Sequence, residues 1–298
     1  MRHLALALLL VLAAALPAQE VLSATLPDMD PIELAASATF QLEDINESSA
    51  IVHSRQYDTV FWTLNDSGDS ARIFPFALDG SVYAPEWMED YTGIAIPDAV
   101  NIDWEDMAVD AEGNLIIGAC GNNDNIRRDL ALYIVREPHP LGTVQTRYLQ
   151  RICFHYPEQT AFPPEMVNFD CEAVFCAGGH VYLLTKHRSD TNTVLYRLDT
   201  MDPNEDNPAT KLATFAIQGM VTAADCTPDG TKLAVLTYDN IWVFTSDTPG
   251  EWFTGRKQWM PISAKQCEGI CWNGDQLIIT NEQMEIIEVP MDKFLDVK

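Results

Sequence analysis

Residues 105–118 read Glu-Asp-Met-Ala-Val-Asp-Ala-Glu-Gly-Asn-Leu-Ile-Ile-Gly, and this stretch predicts two short strands joined by a tight turn. Gly113 stands where such a hairpin turn needs a positive φ angle. The apolar runs on either side have the length of buried strands. Because the same arrangement recurs along the chain, the stretch indicates one unit of a repeat.

Five segments share this arrangement of a polar first residue, small and apolar residues, and a following strand. They begin at Glu47, Glu105, Glu172, Thr222 and Glu268. The Thr222 segment aligns through its turn at Pro228-Asp229-Gly230. The starts lie roughly 50 to 70 residues apart, which is the size of a four-stranded propeller blade plus loops.

The last unit ends after three strands, whereas a spare strand, residues 38–42, precedes the first unit. An N-terminal strand that completes the last blade removes an exposed sheet edge. We therefore predict an all-β chain, a five-bladed β-propeller over residues 36–298 whose N-terminal strand closes the last blade. Two stacked β-sandwich domains are the alternative, but the sequence offers no linker between them.

The first residues have the layout of a secretory signal. Residues 1–3 begin with a positive charge, an apolar run covers Leu4 to Leu16, and small Ala18 offers a cleavage site. We expect a signal peptide at 1–18, an N-terminal extension at 19–35, and export to the periplasm or beyond the cell. We expect no membrane insertion of the mature chain, since no later apolar run reaches the length of a membrane span.

The charge balance limits the partners. The chain has 44 acidic and 18 basic residues and a formal net charge of −26. Such a surface repels phosphate backbones and anionic membranes, so we expect no nucleic-acid partner. The seven cysteines are an odd number without zinc-finger spacing, and the sequence assigns no disulfide. We expect a monomer.

The first residues of the repeats should converge on the central channel, because the innermost strand of each blade follows the propeller axis. The four acidic members of this set, the predicted channel residues, are Glu47, Glu105, Glu172 and Glu268. Crowded carboxylates need compensation, either by protonation, by backbone amides or by a cation. Ca²⁺ is the candidate cofactor because it accepts carboxylate and water oxygens in flexible geometry. The alternative is a purely structural role in tying adjacent blades together.

Polar residues also follow the second strand of each repeat, where they should line one mouth of the channel. The predicted rim residues for a small-molecule or protein ligand are Asn65, Asp66, Asp69, Asp106, Asn123, Lys186, His187, Tyr238 and Asn281. Convergent polar groups at one rim suit ligand binding. The same residue types also favour turns without any ligand.

Two motifs give a resemblance to a known family. Residues 62–69, Trp-Thr-Leu-Asn-Asp-Ser-Gly-Asp, and 103–108, Asp-Trp-Glu-Asp-Met-Ala, resemble a functionally uncharacterised family of secreted bacterial β-propellers. That family is similar at a distance to esterase-like phytase propellers and calcium-binding propellers, an analogy of fold rather than chemistry. The family usually has Asp-Ile-Gly-Asp-Asn where this chain has Ala-Cys-Gly-Asn-Asn at 119–123, so two acidic rim positions are absent.

Two functions fit these patterns, and the sequence leaves open whether the chain is an enzyme. The first is a binding module for a small molecule or protein at the channel mouth, with a cation in the acidic channel. The second is a Ca²⁺-dependent hydrolase of phosphoesters or lactones, in which Lys186 would contact an anionic group. No nucleophile elbow, metalloprotease motif or nucleotide-binding loop favours another enzyme class.

Overall fold

The computed structural model describes residues 20–298, which form an all-β fold. The predicted signal peptide, residues 1–18, lies outside the described residues. Three short strands come first: β1 (Val21–Leu22), β2 (Ile32–Glu33) and β3 (Ala38–Thr39). Two short 3₁₀ helices, Trp252–Thr254 and Met291–Lys293, are the helices of the described part. No helix in residues 20–298 is long and apolar enough to cross a membrane.

Five antiparallel units follow in chain order. Unit 1 comprises β4 (Val52–His53), β5 (Phe61–Thr63), β6 (Arg72–Phe76) and β7 (Ile94–Ala95). Unit 2 comprises β8 (Met107–Val109), β9 (Asn114–Ala119), β10 (Ala131–Arg136) and β11 (Tyr148–His155). Unit 3 comprises β12 (Asp170–Ala177), β13 (His180–Lys186), β14 (Thr193–Leu198) and β15 (Asp206–Phe215).

Unit 4 comprises β16 (Val221–Cys226), β17 (Lys232–Thr237), β18 (Asn240–Thr245) and β19 (Arg256–Ser263). Unit 5 comprises β20 (Cys267–Asn273), β21 (Gln276–Asn281) and β22 (Glu285–Glu288), and β3 pairs antiparallel with β22 as its fourth strand. A last strand, β23 (Leu295–Val297), pairs with β19. The chain therefore joins its N-terminal segment to its last unit.

The first strands of the units form a closed ring of contacts. β4 contacts β8, β8 contacts β12, β12 contacts β16, β16 contacts β20, and β20 returns to β4. Five buried apolar clusters lie between neighbouring units, including one between unit 5 and unit 1. Because each sheet is covered on both faces, strands such as β13 are buried along nearly their whole length. The arrangement is propeller-like.

The outer edges of several units are also paired. β1 adds to β15 and β2 adds to β19, both in parallel. The beginning of β15 pairs with the end of β11, which joins units 2 and 3 at their outer edge. These additions cover backbone groups that would otherwise be free to pair with another chain.

We predict that Phe40→Ala opens the junction between unit 5 and unit 1. Phe40 is 4% exposed, its ring packs edge-on against Phe76 at 4.9 Å, and its N–H donates to the Met284 carbonyl at 2.8 Å. Loss of this buried ring should lower the free energy of unfolding by about 3 to 5 kcal/mol in urea titrations. Leu295→Ala, at a partly exposed edge, is the control and should change it by less than about 1 kcal/mol. Equal effects of the two changes would contradict the assigned junction.

Candidate functional site

The first strands of units 3, 4 and 5 begin with a β-bulge, and backbone hydrogen bonds place residues of units 1 and 2 at the equivalent position. The register shifts in units 3, 4 and 5 leave Glu172, Thr222 and Glu268 as the extra residues. In unit 2 the Glu105 N–H donates to the Gly118 carbonyl at 3.0 Å, which places Glu105 at the same position. Four of the predicted repeat starts therefore share one register.

In unit 1 this position belongs to Ser49. Its N–H donates to the Leu64 carbonyl at 3.1 Å, as the bulge requires. Glu47, predicted for the channel, lies two residues earlier and is exposed. The Ser49 hydroxyl donates to the Glu105 carbonyl at 2.7 Å, and the Thr222 hydroxyl donates to the Cys267 carbonyl at 2.9 Å. The two hydroxyl members of the register thus tie neighbouring units together.

Three carboxylates converge at the end of the ring where the first strands begin. Oxygens of Asp66, Asp103 and Glu105, here called the acid trio, lie within 4.8 Å of one another. Asp66 follows β5, whereas Asp103 and Glu105 precede β8. The Asn101 side chain joins the two segments, because its amide donates to the carbonyl of Asp66 at 2.9 Å.

Nearby positive charges compensate the acid trio only in part. Arg127 and Lys186 lower the pKa of Asp103, but burial outweighs them. Burial raises the pKa of all three carboxyls. The pKa of Asp103 reaches about 6, and that of Glu105 lies well above its usual range. Neighbouring carboxylates raise the pKa of Asp103 and Glu105 further. Within residues 20–298, none of the three forms an ion pair with Lys, Arg or His. Burial and mutual repulsion therefore favour protonated carboxyls or a bound cation at the trio.

Gly121 gives the acid trio its space. A Cβ atom at this residue would lie 2.0 Å from Glu105 Oε1 and 2.5 Å from Asp103 Oδ2. The Gly121 N–H also donates to the Asp103 carbonyl at 3.2 Å. A residue with a side chain would therefore displace the carboxylates, which makes this glycine part of the site.

On the opposite side of the mouth, the carboxylates of Glu172 and Glu268 have hydrogen-bonding partners. Lys186 Nζ donates to Glu172 Oε2 and to the Tyr238 hydroxyl, both at 3.0 Å, and the Tyr238 hydroxyl donates to Glu268 Oε1 at 3.1 Å. Burial opposes the ammonium form, but Glu172, Tyr238 and Glu268 together outweigh it and raise the pKa of Lys186. Glu172 and Glu268 therefore accept hydrogen bonds from Lys186 and Tyr238, which Glu105 does not, although burial still raises the pKa of both carboxyls.

Most of the other predicted rim residues belong to local networks rather than to one shared pocket. Asn65 donates to Asp69 at 2.9 Å, and Asp69 accepts from Arg72 at 2.7 Å. His187 pairs with Asp190 at 2.7 Å, and Asn281 donates to Glu285 at 2.7 Å. Asn123 accepts a hydrogen bond from Arg188. Their role in ligand binding stays a prediction; of the predicted rim residues, Asp66 belongs to the trio and Lys186 lies close enough to lower the pKa of Asp66 and Asp103.

Asp106, predicted for the rim, lies inside the ring instead. It is fully buried, and its carboxylate accepts backbone N–H groups of Met107 at 2.8 Å, Val174 at 2.9 Å and Ala224 at 3.4 Å. Val174 and Ala224 belong to units 3 and 4, so one carboxylate connects three units. Asp225 acts similarly, since it accepts the N–H of Trp272 in unit 5 at 2.8 Å.

Asp103 and Asp170 are two carboxyl residues of the mouth that were not among the predicted site residues. Asp170 is fully buried and accepts the Asn122 N–H at 2.6 Å and Arg188 Nη2 at 2.9 Å. Both precede the aligned glutamates by two residues, as Asp-Trp-Glu and Asp-Cys-Glu. This spacing is visible in the sequence, and it indicates that units 2 and 3 each place a second carboxyl at the same mouth.

A cavity of about 930 Å³ lies at the other end of units 2 and 3, among the turns that follow β8 and β12. Two of its carboxylates have partners. Asp110 accepts from Asn114, and Asp199 accepts from Arg197 and Thr210. Glu112, which also lines the cavity, is exposed. The acid trio differs because its carboxylates converge and Glu105 is buried.

No family model matches the chain, and no curated protein matches it. Several solved structures are similar in part. A gluconolactonase from Xanthomonas campestris shares 14% identity over 90% of this chain and 97% of its own, with a TM-score of 0.43. A Swd1 β-propeller domain from Myceliophteria thermophila shares 12% over 82% and 96%, with a TM-score of 0.40. A virginiamycin B lyase from Staphylococcus aureus shares 13% over 82% of this chain and 66% of its own, with a TM-score of 0.37.

We predict that the carboxyl of Asp225 makes folding stability depend on pH. Burial raises its pKa to about 6, above the ordinary value near 3.8. The folded state therefore binds more protons between about pH 4 and 6, so this stabilising contribution is present below about pH 4 and is lost as pH rises through 6. In urea titrations the free energy of unfolding of the parent, relative to Asp225→Asn, should fall over this range by on the order of 1 to 2 kcal/mol.

Asp229→Asn is a control of opposite sign. The hydroxyl of Thr227 and the N–H and hydroxyl of Thr231 lower the pKa of Asp229, so its contribution should grow as pH rises from acid. The same pH dependence for both variants would refute the role assigned to Asp225.

Proposed function

We propose that the chain is a five-bladed β-propeller that binds a ligand at one mouth of its channel, where the acid trio holds Ca²⁺. The observation that carries this proposal is the convergence of three poorly compensated carboxylates, one of them Glu105, which is only 6% exposed. We further propose that it acts as an exported monomer, with a small molecule or a protein rather than a nucleic acid as its partner.

The closed ring supports the proposed number of blades. Each of the five units has four strands, β3 serves as the fourth strand of unit 5, and an apolar cluster fills every junction. A missing or additional unit would leave an open junction. The pairing of the N-terminal segment with the last unit is the closure typical of propellers.

The donor set of the acid trio fits Ca²⁺. This ion takes oxygen ligands at about 2.3 to 2.6 Å, so two of its ligands can lie up to about 5 Å apart. The trio's oxygens are within 4.8 Å of one another, which allows one ion to contact all three. Their number and hardness suit Ca²⁺ better than Zn²⁺, which prefers histidine and cysteine. When bound, the ion would supply positive charge and open coordination positions for a ligand's oxygen atoms.

We place binding ahead of catalysis because the neighbouring polar groups are engaged with one another. Lys186, Tyr238 and Glu268 form a continuous hydrogen-bonded chain, which leaves none of them as a free base or nucleophile. The second candidate, hydrolysis of phosphoesters or lactones, is favoured by Lys186 alone. Its ammonium lies near enough to Asp66 and Asp103 to lower their pKa, and it could contact an anionic substrate group.

We predict that Ca²⁺ raises the melting temperature of the protein above its value in EDTA at neutral pH. At a Ca²⁺ concentration about 100 times Kd, binding to the folded state alone stabilises it by about 2.7 kcal/mol. Glu105→Gln should abolish this rise, and it should also stabilise the Ca²⁺-free protein because it removes a buried repulsion. Differential scanning calorimetry measures both effects.

Glu112→Gln is the matched control, since Glu112 is an exposed glutamate at the other end of unit 2. This variant should respond to Ca²⁺ like the parent. A parent without a Ca²⁺ response, or an undiminished response in Glu105→Gln, would refute the metal site. Turnover of phosphoesters, lactones or carboxyl esters by the Ca²⁺-loaded protein, lost in Lys186→Met, would replace the binding module by the hydrolase.

A further inference from the structure

Four exposed apolar side chains lie on the loops around the acid trio. Val100 is 59% exposed, Ile102 is 49%, Ile126 is 53% and Met166 is 48%. We call these four residues the apolar rim. They come from the loops before β8, after β9 and before β12, which all lie at the end of the ring where the first strands begin. Exposed apolar groups collected beside one site are typical of interaction surfaces.

The first half of the apolar rim is held against the acid trio. Asn101, between Val100 and Ile102, donates to the carbonyls of Asn65 at 3.2 Å and Asp66 at 2.9 Å. Its side-chain oxygen also accepts the Trp104 N–H at 3.1 Å. Because Asn101 points inward, the apolar residues on either side of it are directed to solvent.

Ile126, the member of the apolar rim in the loop after β9, is also held in place by its neighbours. Asn125 is fully buried with a φ of 51°, and its side-chain oxygen accepts the Phe169 N–H at 2.6 Å. On the other side of Ile126, Arg127 donates to the Gly121 carbonyl at 2.6 Å. Ile126 is thus presented by two fixed neighbours, and Gly121 connects its loop to the trio.

The charge around the apolar rim identifies the kind of partner. Residues 97–105, 120–129 and 157–170 carry eight acidic residues and two arginines, and Arg188 after β13 pairs with one of these acids, Asp170, at 2.9 Å. Both arginines of these ranges are occupied: Arg127 pairs with Asp129 at 3.2 Å, and Arg128 lies 3.8 Å above the Phe162 ring. The surface is therefore apolar and acidic together, which repels anionic membranes and nucleic acids and attracts cationic groups.

We infer that the apolar rim is a docking surface for a protein segment that presents Lys or Arg between apolar side chains. The rim is spread over three loops, so an extended polypeptide can contact it more completely than one small molecule can. The basic side chains would face the surrounding carboxylates, while the apolar ones would cover Val100, Ile102, Ile126 and Met166. The inference rests on the mouth as the binding site in the proposed function, but it does not require Ca²⁺.

A synthetic peptide of Leu and Lys residues tests this inference by fluorescence anisotropy at physiological ionic strength. It should bind at least about tenfold more tightly than a Ser and Lys peptide of equal length and charge, and a Leu and Glu peptide should not bind. Val100→Ser/Ile102→Ser/Ile126→Ser should weaken the Leu and Lys peptide about tenfold or more. Trp87→Ser/Leu141→Ser, which removes exposed apolar residues of other loops, is the matched control and should leave binding unchanged.

The outcomes separate this inference from the proposed function. Equal binding by the triple variant and the control variant would overturn the docking surface, as would equal binding of the Ser and Lys peptide. A long-chain alkylammonium ion that binds as tightly as the peptide would also overturn it in favour of a small amphiphile. The Ca²⁺-dependent rise in melting temperature should persist in the triple variant, because the substitutions leave the acid trio intact. If the parent shows no such rise, that result contradicts the metal site but not the docking surface.

Discussion

The ring formed by the five first strands is the constraint on which the rest of the structure depends. Where the strands converge there is little room, so the residue after each bulge is small in four units: Ala50, Ala173, Ala223 and Gly269. A Cβ at Gly269 would lie 2.9 Å from the backbone of Ala50, which shows how closely units 5 and 1 approach. Unit 2 has Asp106 at this position. Its buried carboxylate is compensated by backbone amides of neighbouring units, because water is scarce there.

The same convergence forces charged side chains together at the mouth, and the chain compensates them unevenly. Ser49 and Thr222 occupy their register positions with hydroxyls, which bind carbonyls of the next unit. Glu172 and Glu268 share Lys186 and Tyr238. On the side of Glu105, the described residues add Asp66 and Asp103 but no ammonium or guanidinium in ion-pair distance of the trio. A poorly compensated group of this kind is more often functional than structural, because buried repulsion lowers stability.

The repeat could be predicted from the sequence because units 2 to 5 each carry a hairpin with glycine at the turn and buried strands around it. Unit 1 was misaligned at Glu47 because an acidic residue was used as the marker, although the bulge requires a backbone position rather than a charge. Ser49 satisfies that position equally well. An alignment by backbone pattern would therefore have placed unit 1 correctly.

The acid trio was only partly predictable. Asp66 and Glu105 were candidates, but in separate groups, and Asp103 was absent from both. Their proximity depends on how the loop before β8 folds back onto the loop after β5, a contact made through Asn101. A contact between two loops of different units has no periodicity in the sequence. The same holds for Asp106, because its amide partners lie in units 3 and 4.

We propose that the acid trio holds a cation at the mouth of a propeller-like ring. Anomalous diffraction from crystals soaked in Tb³⁺, an oxygen-seeking substitute for Ca²⁺, tests it most directly. The account predicts a peak bounded by carboxylate oxygens of Asp66, Asp103 and Glu105, lost in Glu105→Gln crystals and reduced by competing Ca²⁺. Absence of a peak at the trio in the parent protein, or a peak there that persists in Glu105→Gln, would contradict it.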